Sequence, residues 1–257
     1  MRHAATLLLL LSAACAHPTP GAADVSPIIT DRPDFTESAV TVPRRSTQVE
    51  MGATYNREEG VTSVSSGETL IRQGLTDRVE LRVTAVSYAM ERAEALRSQG
   101  LEDAGLGFKF ALHDGGDAPS LIPTVGLIVG TSLPTGASAF RANRALPEAK
   151  LLTAWTLNDR VGFASNLNWA RAEAGPIVHD EFSGSGSFAF SISDRVGAYA
   201  EYFAFGQRTT AWEHREYVNG GFTYLFHPTF QLDGRAGVRT DRAADGVFYG
   251  LGVSRRF

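Results

Sequence analysis

One five-residue phrase recurs along this chain, and each copy joins two stretches in which apolar and polar residues alternate. The copies are Leu75-Thr76-Asp77-Arg78-Val79, Leu157-Asn158-Asp159-Arg160-Val161 and Ile192-Ser193-Asp194-Arg195-Val196, and Phe226-His227-Pro228-Thr229-Phe230 takes the same place a fourth time. Val49, Met51, Ala53 and Tyr55 alternate with Gln48, Glu50, Gly52 and Thr54; Val79, Leu81 and Val83 alternate with Glu80, Arg82 and Thr84. Period two is the mark of a strand with two unlike faces. Asp and Asn tolerate the backbone of tight turns, so each phrase reads as a short hairpin turn. The connections on the other side are longer, at 57–66, 90–103, 134–147, 171–180 and 207–214. Short turns on one rim and long ones on the other predict an all-β, antiparallel transmembrane barrel with its short turns in the periplasm. A soluble sandwich would alternate too, but it would not sort its connections by rim.

Counting gives strands near 47–57, 66–75, 78–90, 104–112, 121–133, 147–157, 160–170, 181–192, 195–206, 215–226, 229–240 and 246–257. The expectation is therefore twelve strands, with ten or fourteen as alternatives. The outward face is ambiguous over 181–192, where Gly184, Gly186 and several serines intervene, and over 195–206, where Glu201 interrupts the aromatics.

A hydrophobic share of 43% and a net charge of -4 fit a wall whose inner face is polar, and they give no basic surface for nucleic acid. The apolar run Ala4 to Ala14 is too short for a spanning helix, which takes about 20 residues. It reads as a signal peptide over 1–16, with cleavage as late as 23 or lipidation at Cys15 as alternatives. Residues 17–46 read as a periplasmic leader and 47–257 as the barrel. Cys15 is the single cysteine, so the barrel closes without disulfides. From Phe257 backwards, Val253, Leu251, Tyr249 and Val247 alternate, like the C-terminal strand that barrel-assembly machinery binds; Arg255 departs from that pattern. Expected partners are this machinery, outer-membrane lipid and a small solute.

The segment Ile28-Ile29-Thr30-Asp31-Arg32-Pro33-Asp34-Phe35-Thr36-Glu37-Ser38 resembles the N-terminal signature of the outer-membrane transporters grouped under the MetA-pathway of phenol degradation. The resemblance continues through Val42-Pro43 and Gln48-Val49-Glu50 and covers nearly all of 28–257. It implies a transporter-like barrel in the outer membrane of a Gram-negative bacterium.

Charges on the lipid face cost about 2–4 kcal/mol at midplane for Arg. Asp31, Arg32, Asp34 and Glu37 therefore belong inside the lumen or in the periplasm. We expect the segment to tuck into the periplasmic mouth, with Arg32 paired to Glu50 or Glu80; a solvated leader is the alternative. Alternation assigns Glu50, Arg72, Glu80, Arg82, Lys109, Lys150, Asn166, Asn168, Asp233, Arg235 and Arg239 to the lumen. They either pair and plug a narrow barrel or line a watery path. Aromatics such as Tyr55, Tyr88, Trp155, Trp169, Tyr199, Tyr202, Phe203, Tyr217, Tyr224 and Tyr249 suit an interfacial girdle or a ladder for hydrophobic solutes. The six histidines show no metal spacing and there is no cysteine pair, so no metal, cofactor or catalytic residue is expected. The functional expectation is passive passage of small solutes, hydrophobic or aromatic ones among them. The alternatives are a closed interaction barrel and, behind it, a lipid hydrolase built on His179 and Ser183 or Ser185.

Overall fold

The computed structural model describes residues 26–85, 87–116, 120–175, 177–208, 212–241 and 245–257. The expected signal segment, Cys15 included, lies outside them. No helix occurs among the described residues. After the N-terminal segment 26–46 come β1 (Thr47–Glu58), β2 (Val61–Ser66), β3 (Thr69–Gly74), β4 (Val79–Ala85), β5 (Tyr88–Ala93), β6 (Leu96–Leu101) and β7 (Ala104–Asp114). Then follow β8 (Thr124–Leu133), β9 (Leu146–Asn158), β10 (Val161–Ala174), β11 (Ile177–Ser191), β12 (Val196–Arg208), β13 (Trp212–His227), β14 (Phe230–Arg239) and β15 (Gly246–Arg256).

These fifteen strands form one antiparallel sheet that closes on itself through β1 and β15, in register from Gln48↔Arg256 to Glu58↔Gly246. Three of the barrel's staves are each interrupted once. β2 and β3 both lie along β1, while β4 with β5 and β6 with β7 are further broken pairs in the same column order. Taking each pair as one stave gives the twelve expected. Closure through β1 and β15 pairs the wall with itself, as hydrocarbon demands of a sheet. Among the described strands β6, which pairs only with β5, is the one left with a free edge.

The sequence placed long connections where several strands in fact run on. Residues 57–66 form the end of β1, a two-residue turn and β2; Glu59 and Gly60 have φ of 51° and 80°. Glu94, with φ of 49°, lies at the turn from β5 into β6, where it is the single positive φ, whereas Glu59 and Gly60 form a pair. Paired positive φ values match the twist of a hairpin. Alternating hydrophobicity reports lipid contact rather than strand, so staves that project past the bilayer look like loops in the sequence. Of the expected long connections, 134–145 remains one.

The ambiguous strands resolve cleanly. Phe182, Phe188 and Phe190 point outward from β11, and Ser185 and Ser187 point inward; Tyr202 faces out of β12, and Tyr199, Glu201 and Phe203 face in. The aromatics therefore divide. Tyr55, Tyr88, Tyr202 and Tyr249 are exposed on the outer face, whereas Tyr199, Phe203 and Tyr217 are buried within the lumen.

Candidate functional site

The lumen is occupied by the chain's own N-terminal segment, seated on a cluster of buried charges. Alternation turns Gln48 and Glu50 of β1, Arg72 of β3, Glu80 and Arg82 of β4 and Lys109 of β7 to the inside. All six are buried. Arg72 joins the wall to itself, through Nε to Glu80 at 2.8 Å and Nη1 to Glu50 at 2.9 Å. Asp31 then completes the set. Its carboxylate accepts from Lys109 Nζ at 2.9 Å and from Arg82, and lies 3.4 Å from Arg72. Its backbone N–H donates to Glu50 at 3.0 Å. Burial alone would raise the Asp31 carboxyl, but Arg72, Lys109 and Arg82 outweigh it and hold it well below the usual carboxylate range. Glu37 behaves alike: burial is outweighed by Lys150, at 3.0 Å, and Arg82, at 2.6 Å, so its pKa falls.

Backbone atoms of the segment are held as firmly as its side chains. Arg72 Nη2 donates to Val40 O at 3.0 Å, Lys109 Nζ to Ser38 O at 2.8 Å, and Val42 N–H to Glu80 at 2.7 Å. A segment without secondary structure has orphan amide groups, and here wall charges satisfy them.

From this wall residues 32–37 cross the lumen as a bar. On the far side Glu201 accepts from the N–H groups of Phe35 and Thr36, at 2.9 and 2.7 Å, and from Asn219 Nδ2 at 2.5 Å. Thr36 Oγ1 lies 2.8 Å from Ser185 Oγ, and Ser187 Oγ donates to Asp34 at 3.1 Å. The Phe35 ring stacks on Phe203 at 4.7 Å, and Phe203 on Tyr217 at 4.8 Å. Burial first, then the negative Glu201, push the Asp34 carboxyl well above its ordinary value.

The expected partners of Arg32 are not the observed ones. Arg72 occupies Glu50 and Glu80, so Arg32 turns the other way. It pairs with Glu68 at 2.9 Å and faces Asp233 at 3.7 Å. Its guanidinium lies over Gly52 and Gly252, where any Cβ would overlap it. Gly126 makes the matching room for backbone, since a Cβ there would lie 2.8 Å from Ala39 O. A glycine on a strand interior often marks such a close approach. Gly126→Ala is thus expected to lose about 1–3 kcal/mol by overpacking. Hydrogen exchange should show faster exchange at residues 38–42 while the strands stay protected.

The remaining inward candidates fall in three places. Arg235 donates to Pro33 O at 2.9 Å and to Thr54 Oγ1 at 3.0 Å, beside the buried Asp233. Arg239 sits at the rim away from the termini, bound to Glu58, Glu59 and Asp241. Asn166 pairs with the backbone of Glu37, accepting from its N–H at 2.7 Å with the amide oxygen turned towards it, and Asn168 donates to Ser183 Oγ at 3.1 Å. Glu201, Glu68, Ser185 and Ser187 were not among the expected lumen residues. The inward Glu201 could have been found from parity once Tyr202 is read as lipid-facing. His179 and Ser183 stand four residues apart on one strand, about 13 Å by strand rise, too far for a base and its nucleophile.

Two open volumes flank the bar. One, of about 470 Å³, has Glu37, Arg82 and Lys150 at its base and opens between Glu148, Ala170 and Glu181. The other, of about 650 Å³, lies at the rim that carries the termini, among Ile28, Arg160, Ser191, Asp194 and Gln231.

Comparison with solved structures finds the same barrel. The COG4313 outer membrane channel from Pseudomonas putida F1 is 13% identical, matches 85% of this chain and 98% of its own, and superimposes with a TM-score of 0.61. The KdgM porin (12%, 81% and 99%, TM-score 0.51) and the translocator domain of the autotransporter NalP from Neisseria meningitidis (12%, 82% and 87%, 0.51) follow. At these identities the likeness establishes an outer-membrane β-barrel fold. No curated protein sequence matches. The family model described as "Putative MetA-pathway of phenol degradation" matches residues 30–257, from the bar in the lumen to the last residue of the wall, and the chain belongs to that family.

Proposed function

We propose that this barrel is a passive outer-membrane channel for small solutes, with its N-terminal segment as a resident gate. One observation carries the reading. Residues 34–37, which belong to no strand of the wall, meet β11 at Ser185 and Ser187, between Glu181 at one open volume and Ser191 at the other. A bar can move without opening the sheet. The rim with the termini and the tight turns faces the periplasm in this proposal, as short turns do in such barrels. Export through the signal peptide and assembly through the strand ending at Phe257 belong to the same reading. The stack of Phe35, Phe203 and Tyr217 inside the lumen favours solutes with an apolar or aromatic face.

A closed interaction barrel is the second reading, and the Asp31 cluster favours it, because paired charges fill the wall side of the lumen. Planar-bilayer recording separates the two. Stepwise currents support the channel, and silence from a folded, heat-modifiable barrel supports the closed form.

The channel reading also fixes a pH response. Docking raises the pKa of Asp34, so the docked bar binds a proton more tightly than the free one. The Asp34 contribution to docking is therefore full below the ordinary carboxylate range and is lost as pH rises through the raised value. Asp31 and Glu37, whose pKa values docking lowers, instead hold the bar above that range and release it as pH falls below it. Open probability should fall as pH drops through the raised Asp34 value while Asp31 and Glu37 are still ionised. Asp34→Asn should hold it low across that range; a variant that keeps the full pH response would remove Asp34 from the gate.

A further inference from the structure

Resting on the channel reading, we infer that solutes cross along one seam of the wall, the paired lumenal faces of β10 and β11, and that this seam selects small uncharged solutes able to hydrogen-bond. In register, Asn168 faces Ser183, Asn166 faces Ser185 and Ala164 faces Ser187. The seam begins at Ala170 and Glu181, in the volume away from the termini, and ends at Ser191, in the volume beside them. It is the stretch of wall that joins the two openings.

The rest of the circumference is engaged otherwise. On β1, β3, β4 and β7 the charge cluster binds the segment through Asp31. On β8 and β9, Ile128 and Leu152 pack against Ala39 with no room between. On β12 and β13 the Phe35 stack and Glu201 hold the bar. Against the seam the bar makes neutral wall contacts only: Thr36 with Ser185, Asp34 with Ser187, and the Glu37 backbone with Asn166. Bonds to neutral partners are weaker than those to charged ones. The bar is therefore suspended by charges and closes against hydroxyls and an amide, and it parts where the bonds are weakest.

The chemistry of the seam sets the solute class. From Asn166 to Asn168 and from Ser183 to Ser187 it offers hydroxyl and amide groups, small volumes and no formal charge. Two of its polar groups have no protein partner: Asn168 Oδ1, and both ring nitrogens of the buried His179 at the outer end. A neutral solute replaces water at such groups without desolvating an ion, whereas an ion would leave water for a seam whose flanking charges are already engaged. Lys150, beside Asn168, is held by Glu37, and Glu201, beside Ser187, by the backbone of Phe35 and Thr36.

A reversible lock tests both parts. The Thr36 and Ser185 oxygens are 2.8 Å apart, so Thr36→Cys with Ser185→Cys brings two thiols within bonding reach. The single variants control for pairing with Cys15. Purified barrels in liposomes are assayed by swelling in isotonic arabinose, a neutral probe, and by potassium chloride conductance. Oxidation, verified by mass, should reduce swelling to that of empty liposomes, and dithiothreitol should restore it. Equal swelling of the locked and reduced forms overturns the seam as the route and leaves the channel reading standing. Lock-sensitive conductance without arabinose entry overturns the neutral solute class. Neither swelling nor current from the wild-type barrel overturns the channel reading itself. Asn168→Asp adds a second readout: with the route as inferred, it shifts the reduced barrel towards cation selectivity, and an unchanged selectivity counts against the seam.

Discussion

Asp31→Ala should unseat the N-terminal segment and destabilise the barrel by about 3–5 kcal/mol, the usual cost of removing one partner from a buried charge set. Asp31 is 6% exposed, and it is the acceptor common to Lys109, Arg82 and Arg72. Truncation leaves three cations around a hole, with Glu50 and Glu80 of the wall and Glu37 beside Arg82 left to balance them. The Ser38 N–H also loses its acceptor at 2.9 Å, so the turn that brings the chain back from the bar opens. Equilibrium urea unfolding followed by the heat-modifiable gel shift measures the loss. Asp31→Asn is the informative companion, because it keeps the shape and an acceptor but removes the charge. If Asn behaves as wild type, hydrogen bonding rather than charge holds the segment, and the account of the cluster fails.

The wall was legible in the sequence because lipid imposes a strict rule on every second residue. That rule assigned Glu50, Arg72, Glu80, Arg82, Lys109, Lys150, Asp233, Arg235 and Arg239 inward; of these, all but Lys150 and Arg235 are buried. It also located the four repeated turns, since each phrase sits where two greasy alternations meet. What it could not read was any contact of the non-periodic segment. Residues 28–42 have no repeat, so their charges could be assigned to the lumen or periplasm but not to partners. Arg32 illustrates the limit: its nearest choice by charge was Glu50 or Glu80, yet Arg72, on the strand between them, claims both. The lumenal glycines were equally silent. Gly52, Gly126 and Gly252 look like weak strand residues until the guanidinium of Arg32 and the backbone of Ala39 are seen against them.

Deleting residues 28–38 should give the largest functional change of all, and charge balance explains why. On one side of the wall lie four cations, the buried Arg72, Arg82 and Lys109 and the partly exposed Lys150. Against them stand three carboxylates, the buried Glu50 and Glu80 and the partly exposed Glu148 beside Lys150. The segment adds two carboxylates to this cluster, Asp31 and Glu37. This side of the wall is thus short of negative charge until the segment docks. Without it the lumen gains the volume of the bar and an excess of positive charge on one side. Conductance in planar bilayers should rise well above that of the full chain, and selectivity should turn towards anions. Stability should fall as well, because desolvated cations stay near one another without their counter-ions. The two readouts need not move together: water entering the emptied lumen rehydrates the cations and offsets part of the stability loss, while it only increases the current. A deletion with unchanged conductance and stability would mean that residues 28–38 neither fill nor neutralise the pore, and the gate would have to be sought in the connection 134–145 at the opposite rim.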